Sequence, residues 1–391
     1  LLLRQPFPPD AFDQVILGCV NVIADEMNPA RVAALRLGMG EAMTAFTVQI
    51  NCGSGMQSID TAYRYIQEGI SDLILAGGAE SLSHAPLVFR NSAVGWYASL
   101  FAARDFTSRL KAFAGVRPSF FKPVIGLERG LTDPIVELNM GQTAEILAHE
   151  FGISRHDADE YAAESQQRLV HAHQEKYFEG ELEPAFGRDG RYFDHDDGER
   201  PDSTAESLAK LCPAFERPWG KVTAGNSSQI TDGASWVILA SDEAVKKYDL
   251  KPRAQIIDSA WGALDPSIMG LGPVLSSTKL MRRHNLALDA IELWEINEAF
   301  AAQVLACLAA WNDDAFCRDV LGLPGAAGEI PREKLNVDGG AIGLGHPVGA
   351  SGNRIVLHLV NAMKRLGKNR GIATECIGGG QGGAMLIETV Q

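Results

Sequence analysis

The sequence predicts an α/β protein built on parallel strands, arranged as two related halves with an excursion set into the first. Three observations carry this reading. A β-prone run, a helical pattern and a buried strand succeed one another between Val48 and Gly78. A glycine turn, a helix and a glycine-ended strand repeat the later part of that order between His346 and Gly380. Glycine, at 40 of 391 residues, bunches at Gly77-Gly78, Gly339 to Gly349 and Gly378 to Gly383, so it marks particular turns and not linkers.

The opening, Leu1 to Asp10, has neither Met nor a helix cap, and the chain reaches Val15-Ile16-Leu17-Gly18 at once. The N-terminus of a longer protein is therefore expected to be absent. Val48-Gln49-Ile50 reads as a short strand, Gly55 to Glu68 as a helix, and Asp72 to Ala76 as a strand ending in Gly77-Gly78. Ser83 to Ala214 is richer in charge, with a helical run from Ser154 to Tyr177 and a polar stretch from Gly187 to Asp202. Small-residue and strand patterns return over Val222 to Ala240. Near the end come a glycine turn at His346, a helix from Ser351 to Leu366, and a strand from Gly371 to Ile377. Cys52 and His346 thus occupy matching places, each before a helix whose next strand ends in glycines. Identity between the halves is weak, so the duplication rests on element order alone. The expected domains are 1–82 with 215–245, a loop domain over 83–214, and a second half over 246–391.

Lys and Arg total 35 against 49 Asp and Glu, a net charge of −14, so no global field draws nucleic acid or an anionic membrane. Any anionic ligand must be held by local groups. Apolar stretches such as Phe300 to Trp311 fall short of the roughly 20 residues a spanning helix needs. No secretory leader pattern opens the chain. A soluble cytoplasmic protein is expected, with the mitochondrial matrix or peripheral membrane association as alternatives. Six cysteines without a C-x-x-C pair imply a reducing compartment and no metal. His171 and His173, two apart on a helix, point to different faces.

Cys52 lies in Gln49-Ile-Asn-Cys-Gly-Ser-Gly-Met56, between a strand and a helix. There the helix macrodipole and aligned N–H groups should lower the thiol pKa and favour a nucleophile. A buried structural cysteine is the alternative. His346, between glycines and Pro347, has a rigid backbone and a ring expected to be uncovered, which suits a general base. Cys376, in Cys-Ile-Gly-Gly-Gly-Gln-Gly-Gly383, is a second acid/base or a small core residue. Gly378, Gly380 and Gly383 match G-x-G-x-x-G, but only eight residues follow, too few for the helix, strand and ribose-binding acid of a dinucleotide site. Those N–H groups better suit an oxyanion hole. Asn297, after the strand-like Leu293 to Ile296, can orient a water or a carbonyl, or simply cap a helix.

Taken in order, Asn51-Cys-Gly-Ser-Gly55, Gly77-Gly-Ala-Glu-Ser81, Met140-Gly-Gln-Thr-Ala-Glu145, Thr223-Ala-Gly-Asn-Ser227, Asn297-Glu-Ala-Phe300, Gly345-His-Pro347 and Cys376-Ile-Gly-Gly-Gly380 resemble the thiolase family over essentially the whole chain. The family's first strand and following turn are the parts without a match. The resemblance implies a five-layered α-β-α-β-α sandwich of two halves with an inserted loop domain. It implies thiolysis of a 3-ketoacyl-CoA, with coenzyme A as co-substrate and no tightly bound cofactor. Cys52 would be the nucleophile, His346 its base, Cys376 the second acid/base, and Asn297 the holder of a water at the enolate. The N–H groups of Cys52 and Gly378 would form the oxyanion hole. Ser228 would line the pantetheine channel, with Arg200 and Ser207 near the nucleotide end. Met140, Phe215, Met269 and Phe300 would line the acyl and pantetheine pocket, with plain core packing as their alternative.

Asn139 stands where biosynthetic acetoacetyl-CoA thiolases carry His. The segments from Pro86 to Asn139 and from Phe300 to Leu335 look like those of β-subunits of the fatty-acid oxidation trifunctional complex. A degradative 3-ketoacyl-CoA thiolase is the expectation, with a biosynthetic acetoacetyl-CoA thiolase as alternative. The partners expected are CoA thioesters and further copies of the chain, as dimer or tetramer, and not nucleic acid. Residues 93–123 hold five cations against Asp105 alone, with Phe106, Leu110 and Phe113 at i, i+4 and i+7 of a helix. They are expected to form either a lid or a docking surface for a membrane or a partner oxidation subunit.

Overall fold

The computed structural model describes residues 1–187 and 189–390; Arg188, inside the polar stretch, and Gln391 lie outside it. The first sheet holds β1 (Gln14–Gly18), β2 (Thr44–Val48), β3 (Leu73–Ser81) and β4 (Asp232–Ala240), in the order β2-β1-β3-β4. β1 runs parallel to β2 and β3, and β4 is antiparallel to β3. The second sheet holds β5 (Ala254–Ala263), β6 (Leu293–Ile296), β7 (Arg370–Ile377) and β8 (Gln381–Thr389), in the order β6-β7-β8-β5. There β6 and β7 are parallel and the other pairs antiparallel. The run β1-β3-β4 thus has its equivalent in β6-β7-β8. Among the described residues, the first sheet has no strand in the place of β5.

Helix α1 (Pro29–Arg36) covers the outer face of the first sheet. Helix α2 (Ser54–Gln67) buries Met56, Ile59 and Ala62 on its inner stripe. Between β3 and β4 the chain leaves the sheet over residues 82–231. This excursion carries α3 (Asn91–Ala102), α4 (Phe106–Ala114), α5 (Met140–Glu150) and α6 (Arg155–Gln174). Both longer helices start on reciprocal side-chain caps, Asn139 with Gln142 and Ser154 with Asp157. Asn139, which marked a departure from biosynthetic thiolases, therefore also has a plain capping role.

Helix α7 (Asp242–Tyr248) follows β4, α8 (Gly272–Arg283) packs on the outer face of the second sheet, and α9 (Ala301–Asn312) joins it there. Helix α10 (Val348–Leu366) buries Ile355, Leu359, Ala362 and Met363 and ends on Gly367 in the left-handed region at φ 63°. With α2 it forms the central layer. One core unites Ile16, Ile74 and Ala76 of the first sheet with Leu293, Ala373 and Met385 of the second, through Met56, Ile59, Ile355 and Leu359. The result is the five-layered α/β sandwich. No helix among the described residues is long and apolar enough to cross a membrane.

Glycines let the central layer close. A Cβ on Gly55 of α2 would lie 2.7 Å from the Asn353 nitrogen of α10, and one on Gly349 would lie 2.8 Å from the Ala79 oxygen of β3. Gly77 and Gly78 correct the sequence reading, because they lie inside β3 and do not end it. A Cβ on Gly77 would strike the Trp236 ring at 2.2 Å, and one on Gly78 would meet the Gly349 oxygen at 2.2 Å. β2 likewise stops at Val48, two residues before the expected end.

Overpacking at backbone contacts costs about 1–3 kcal/mol, so Gly78→Ala should lower stability to denaturant by that amount. Gly95 of α3 has open space around its Cβ position. Gly95→Ala should instead stabilise by about 0.5–1 kcal/mol, the ordinary helical gain over glycine. Equal effects at the two positions would contradict the packing described.

Candidate active site

The turn from β2 into α2 is fixed by its own polar groups. Asn51 takes the left-handed conformation at φ 47°. The Ser54 hydroxyl accepts from the Ile50 N–H at 2.9 Å and donates to the Asn51 oxygen at 2.7 Å. The Asn51 amide donates to the Gly378 oxygen at 2.7 Å, tying this turn to the glycine turn between β7 and β8. Gly53 lets the end of β7 approach, since a Cβ there would lie 2.5 Å from Ile377 Cδ1.

Cys52 stands at this junction, half-buried, just ahead of the α2 N-cap. Burial pushes its thiol up to about 12, against the pull of hydrogen bonds from the Gly378 and Cys52 N–H groups; Glu375 and Glu80 add to the rise. The expected lowering by the helix terminus is thus overturned. Desolvation of a thiolate outweighs the two donors.

His346 leads into α10. Gly345, at φ 86°, turns the chain where a side chain would collide with Thr231, and the His346 N–H donates to the Gln229 oxygen at 3.1 Å. The ring is buried, contrary to the sequence expectation, because the first turn of α10 and Asn297 close over it. Its Nδ1 lies 2.6 Å from the Ser351 hydroxyl, which is itself placed to donate to the Pro347 oxygen at 3.1 Å. Nε2, which has no protein partner, is the ring nitrogen left open to the site. The Asn297 amide nitrogen lies 3.4 Å from Nδ1, and its Oδ1 is likewise without a partner. Burial and, behind it, the Arg354 charge depress the imidazole to about 4. The ring is neutral at physiological pH.

Cys376 is buried at the end of β7, its thiol held well above the ordinary range by burial and by Cys52, Cys307 and Glu375. It packs in one apolar cluster with Met269, Phe300 and Met140. The Met140 sulfur lies 3.3 Å from where a Cβ on Gly378 would stand. Phe215 meets Phe300 edge to face at 6.2 Å and occupies the space beside Gly141. Ser228 is half-buried, its N–H donating to the Ala299 oxygen at 3.0 Å.

The sequence-predicted residues therefore fall into linked groups: Cys52 with Gly378 and Cys376, His346 with Asn297, and the apolar four around Cys376. Two nucleotide-end candidates are not joined to them. Arg200 is exposed. The Ser207 hydroxyl accepts from the Thr204 N–H at 3.0 Å, closing the cap of the short helix Ala205–Leu208. Among the described residues, no three His, Cys, Asp or Glu side chains gather as a metal site. His171 stacks edge-on against Tyr177, while His173 pairs with Glu199.

Sequence reasoning passed over two glutamates that brace the site. Glu80 accepts from the Val20, Asn21 and Gly349 N–H groups at 3.1, 3.0 and 3.0 Å, anchoring the start of α10. Glu298 accepts from Tyr161, Ser165 and Asn336 at 2.9, 2.7 and 2.9 Å, beside Asn297. Both stood within the quoted motifs, and an acid flanked by small residues at a strand end was the available signal.

Comparison with known proteins identifies the family. The family model for the thiolase N-terminal domain matches residues 1–243, and that for the thiolase C-terminal domain matches 250–389. The chain is 42% identical to a beta-ketoadipyl-CoA thiolase of Pseudomonas aeruginosa, over 97% of this chain and 88% of the other. It is 38% identical to an acetyl-CoA acetyltransferase of Syntrophomonas wolfei, over 99% and 90%. The crystal structure of human mitochondrial 3-ketoacyl-CoA thiolase in complex with CoA superimposes with a TM-score of 0.84 at 37% identity, covering 100% of this chain and 89% of that one. With both halves matched and the sandwich shared, the chain belongs to the thiolase family, as a CoA-dependent acyltransferase.

Proposed function

We propose that the protein is a degradative 3-ketoacyl-CoA thiolase, and that Cys52, His346, Cys376, Asn297 and Gly378 perform the reaction. The observation that carries this reading is the junction of the Cys52 turn, the Gly378 turn and Cys376, floored by Met140, Met269 and Phe300. An apolar floor suits an acyl chain, and backbone N–H groups beside a sulfur suit a developing oxyanion.

The resting pair is a neutral thiol, up at about 12, and a neutral imidazole, down at about 4. A standing thiolate–imidazolium pair is therefore disfavoured. Proton transfer from Cys52 to His346 Nε2 then accompanies attack on the keto carbon, whose oxygen takes up the charge. The N–H groups of Gly378 and Cys52 meet the oxyanion in the thioester steps, each such donor typically supplying about 3–4 kcal/mol. Cleavage of the carbon–carbon bond leaves acyl-Cys52 and an acetyl-CoA enolate. His346 and a water on Asn297 hold the enolate oxygen while the Cys376 thiol gives its proton to carbon. Cys376 next takes the proton of an incoming CoA thiol, whose sulfur attacks the thioester; Cys52 leaves and recovers its proton from His346, restoring the neutral pair. Ser228, Phe215, Arg200 and Ser207 are assigned to the CoA path.

The competing reading, a biosynthetic acetoacetyl-CoA thiolase, uses the same residues. Turnover of acetoacetyl-CoA and of a long-chain 3-ketoacyl-CoA, each with free CoA, separates the two. The degradative reading expects higher kcat/KM on the long chain, and exclusive use of acetoacetyl-CoA would refute it. In the same assay Cys52→Ser should lose nearly all turnover, because a serine hydroxyl ionises far less readily than a thiol.

The proposal extends to partners. The enzyme works as a homo-oligomer, and α3–α4 docks on an anionic lipid surface. Phe101 and Phe106 are 87% and 81% exposed, and Leu110 and Phe113 continue the exposed apolar face of α4. Asp105, the one acid of the segment, is taken up in capping α4 through Ser108 and Thr107. Five cations remain, each adding about 1 kcal/mol near an anionic membrane. Vesicles rich in phosphatidylserine should bind the intact protein more tightly than a variant with Phe106, Leu110 and Phe113 changed to Ser. Equal binding by two folded, active proteins would remove the lipid surface and leave a protein partner or a lid.

A further inference from the structure

Glu375 precedes Cys376 on β7 and points to the opposite face of the sheet, into the central helix layer. Its side chain is fully buried, and neither carboxyl oxygen has a hydrogen-bond partner. The space it fills is made by glycines. A Cβ on Gly352 of α10 would lie 2.2 Å from Glu375 Oε1 and 2.6 Å from the Met56 nitrogen in the first turn of α2. On β8 the residue opposite is Gly383. The carboxyl therefore sits between the two central helices, against the first turn of the helix that Cys52 precedes.

The titratable and charged groups on the elements around it are Arg354 and His358 on α10, Glu295 on β6, Cys52 ahead of α2, and Cys376 on its own strand. Asp60 and Arg64 of α2 are turned to Ser259 on β5. Arg354 lies 3.9 Å from Glu295 and makes no hydrogen bond to Glu375. His358 is committed to Glu181 and Asp338. An ionised carboxylate without a partner here would carry the full penalty of burial, so the acid form is the stable one. Burial indeed holds this carboxyl well above the ordinary range, against the pull of Arg354.

We infer that Glu375 is a positioning residue of the reaction: a carboxyl stored as the neutral acid beside the cysteine pair, so that the one negative charge the site accepts resides on sulfur. Cys52, Cys376 and Glu375 are three acids in one desolvated site, and charge on any one opposes charge on the others. While Glu375 keeps its proton, Cys52 can lose its own to His346. Once Glu375 ionises at higher pH, its charge raises the Cys52 thiol, and reactivity stops increasing with pH. This rests on the reading of Cys52 as the reactive thiol, but it needs no catalytic turnover to be observed.

The test is the pH profile of Cys52 alkylation by iodoacetamide, mapped by peptide mass, in wild type and in Glu375→Gln. The uncharged amide should displace the Cys52 profile to lower pH by about one unit, a roughly tenfold faster alkylation on the alkaline limb. Superimposable profiles from two folded proteins would overturn the inference. Infrared spectroscopy of the wild type covers the case in which the variant fails to fold. A protonated carboxyl stretch should persist at neutral pH and fade as the alkaline limb flattens. A spectrum with no protonated carboxyl at neutral pH would overturn it as well. Because alkylation reads the thiol directly, failure of the thiolase reading would show separately, as missing turnover with normal alkylation profiles.

Discussion

The contact between α2 and α10 is the constraint on which the rest of the structure depends. Each helix begins at a turn of the candidate site, α2 after Cys52 and α10 after His346, and they approach through glycines instead of side chains. Gly55 faces the Asn353 nitrogen and Gly352 faces the Met56 nitrogen, at 2.7 and 2.6 Å from where a Cβ would stand. Gly78 carries the same closeness into the first sheet. With the helices this near, the positive ends of both macrodipoles fall in one region, and the turns of Cys52, His346 and Gly378 converge there. Glu80 and Glu298 then lock the surrounding loops by accepting backbone and side-chain hydrogens.

Much of this was legible in the sequence, and the reasons are local. Strand–helix–strand order follows from periodicity, and the places of Cys52 and His346 follow from glycine turns next to helical patterns. What could not be read depends on partners distant in sequence. Gly77-Gly78 looked like the end of a strand, yet they lie within β3 because Trp236 and Gly349 occupy the space their side chains would need. The four-residue strand β6 was placed correctly, since Leu293, Trp294 and Ile296 stand together between polar residues.

Electrostatics shows the same division. A thiol ahead of a helix invites the expectation of a lowered pKa, since the dipole is visible in the sequence and the burial is not. Segments distant in sequence, among them the end of β7 and the Gly378 turn, supply that burial, and desolvation dominates. His346 was read as uncovered for the same reason, although Ser351 and Asn297 enclose it. The site is consequently one of neutral acids and a neutral base: Cys52, Cys376, Glu375 and His346. In the proposed reaction, charge enters only with substrate, at the places where backbone N–H groups would receive it. Water exclusion makes those donors count for more than they would at a surface.

This neutrality is the central claim, and the ultraviolet thiolate absorbance of Cys52 tests it most directly. The signal is taken as wild type minus Cys52→Ser and followed with pH in the absence of substrate. The account predicts no difference signal at neutral pH and its growth only under strongly alkaline conditions. A Cys52 thiolate already present at neutral pH would contradict it, and would return the helix terminus to the leading role that burial takes here.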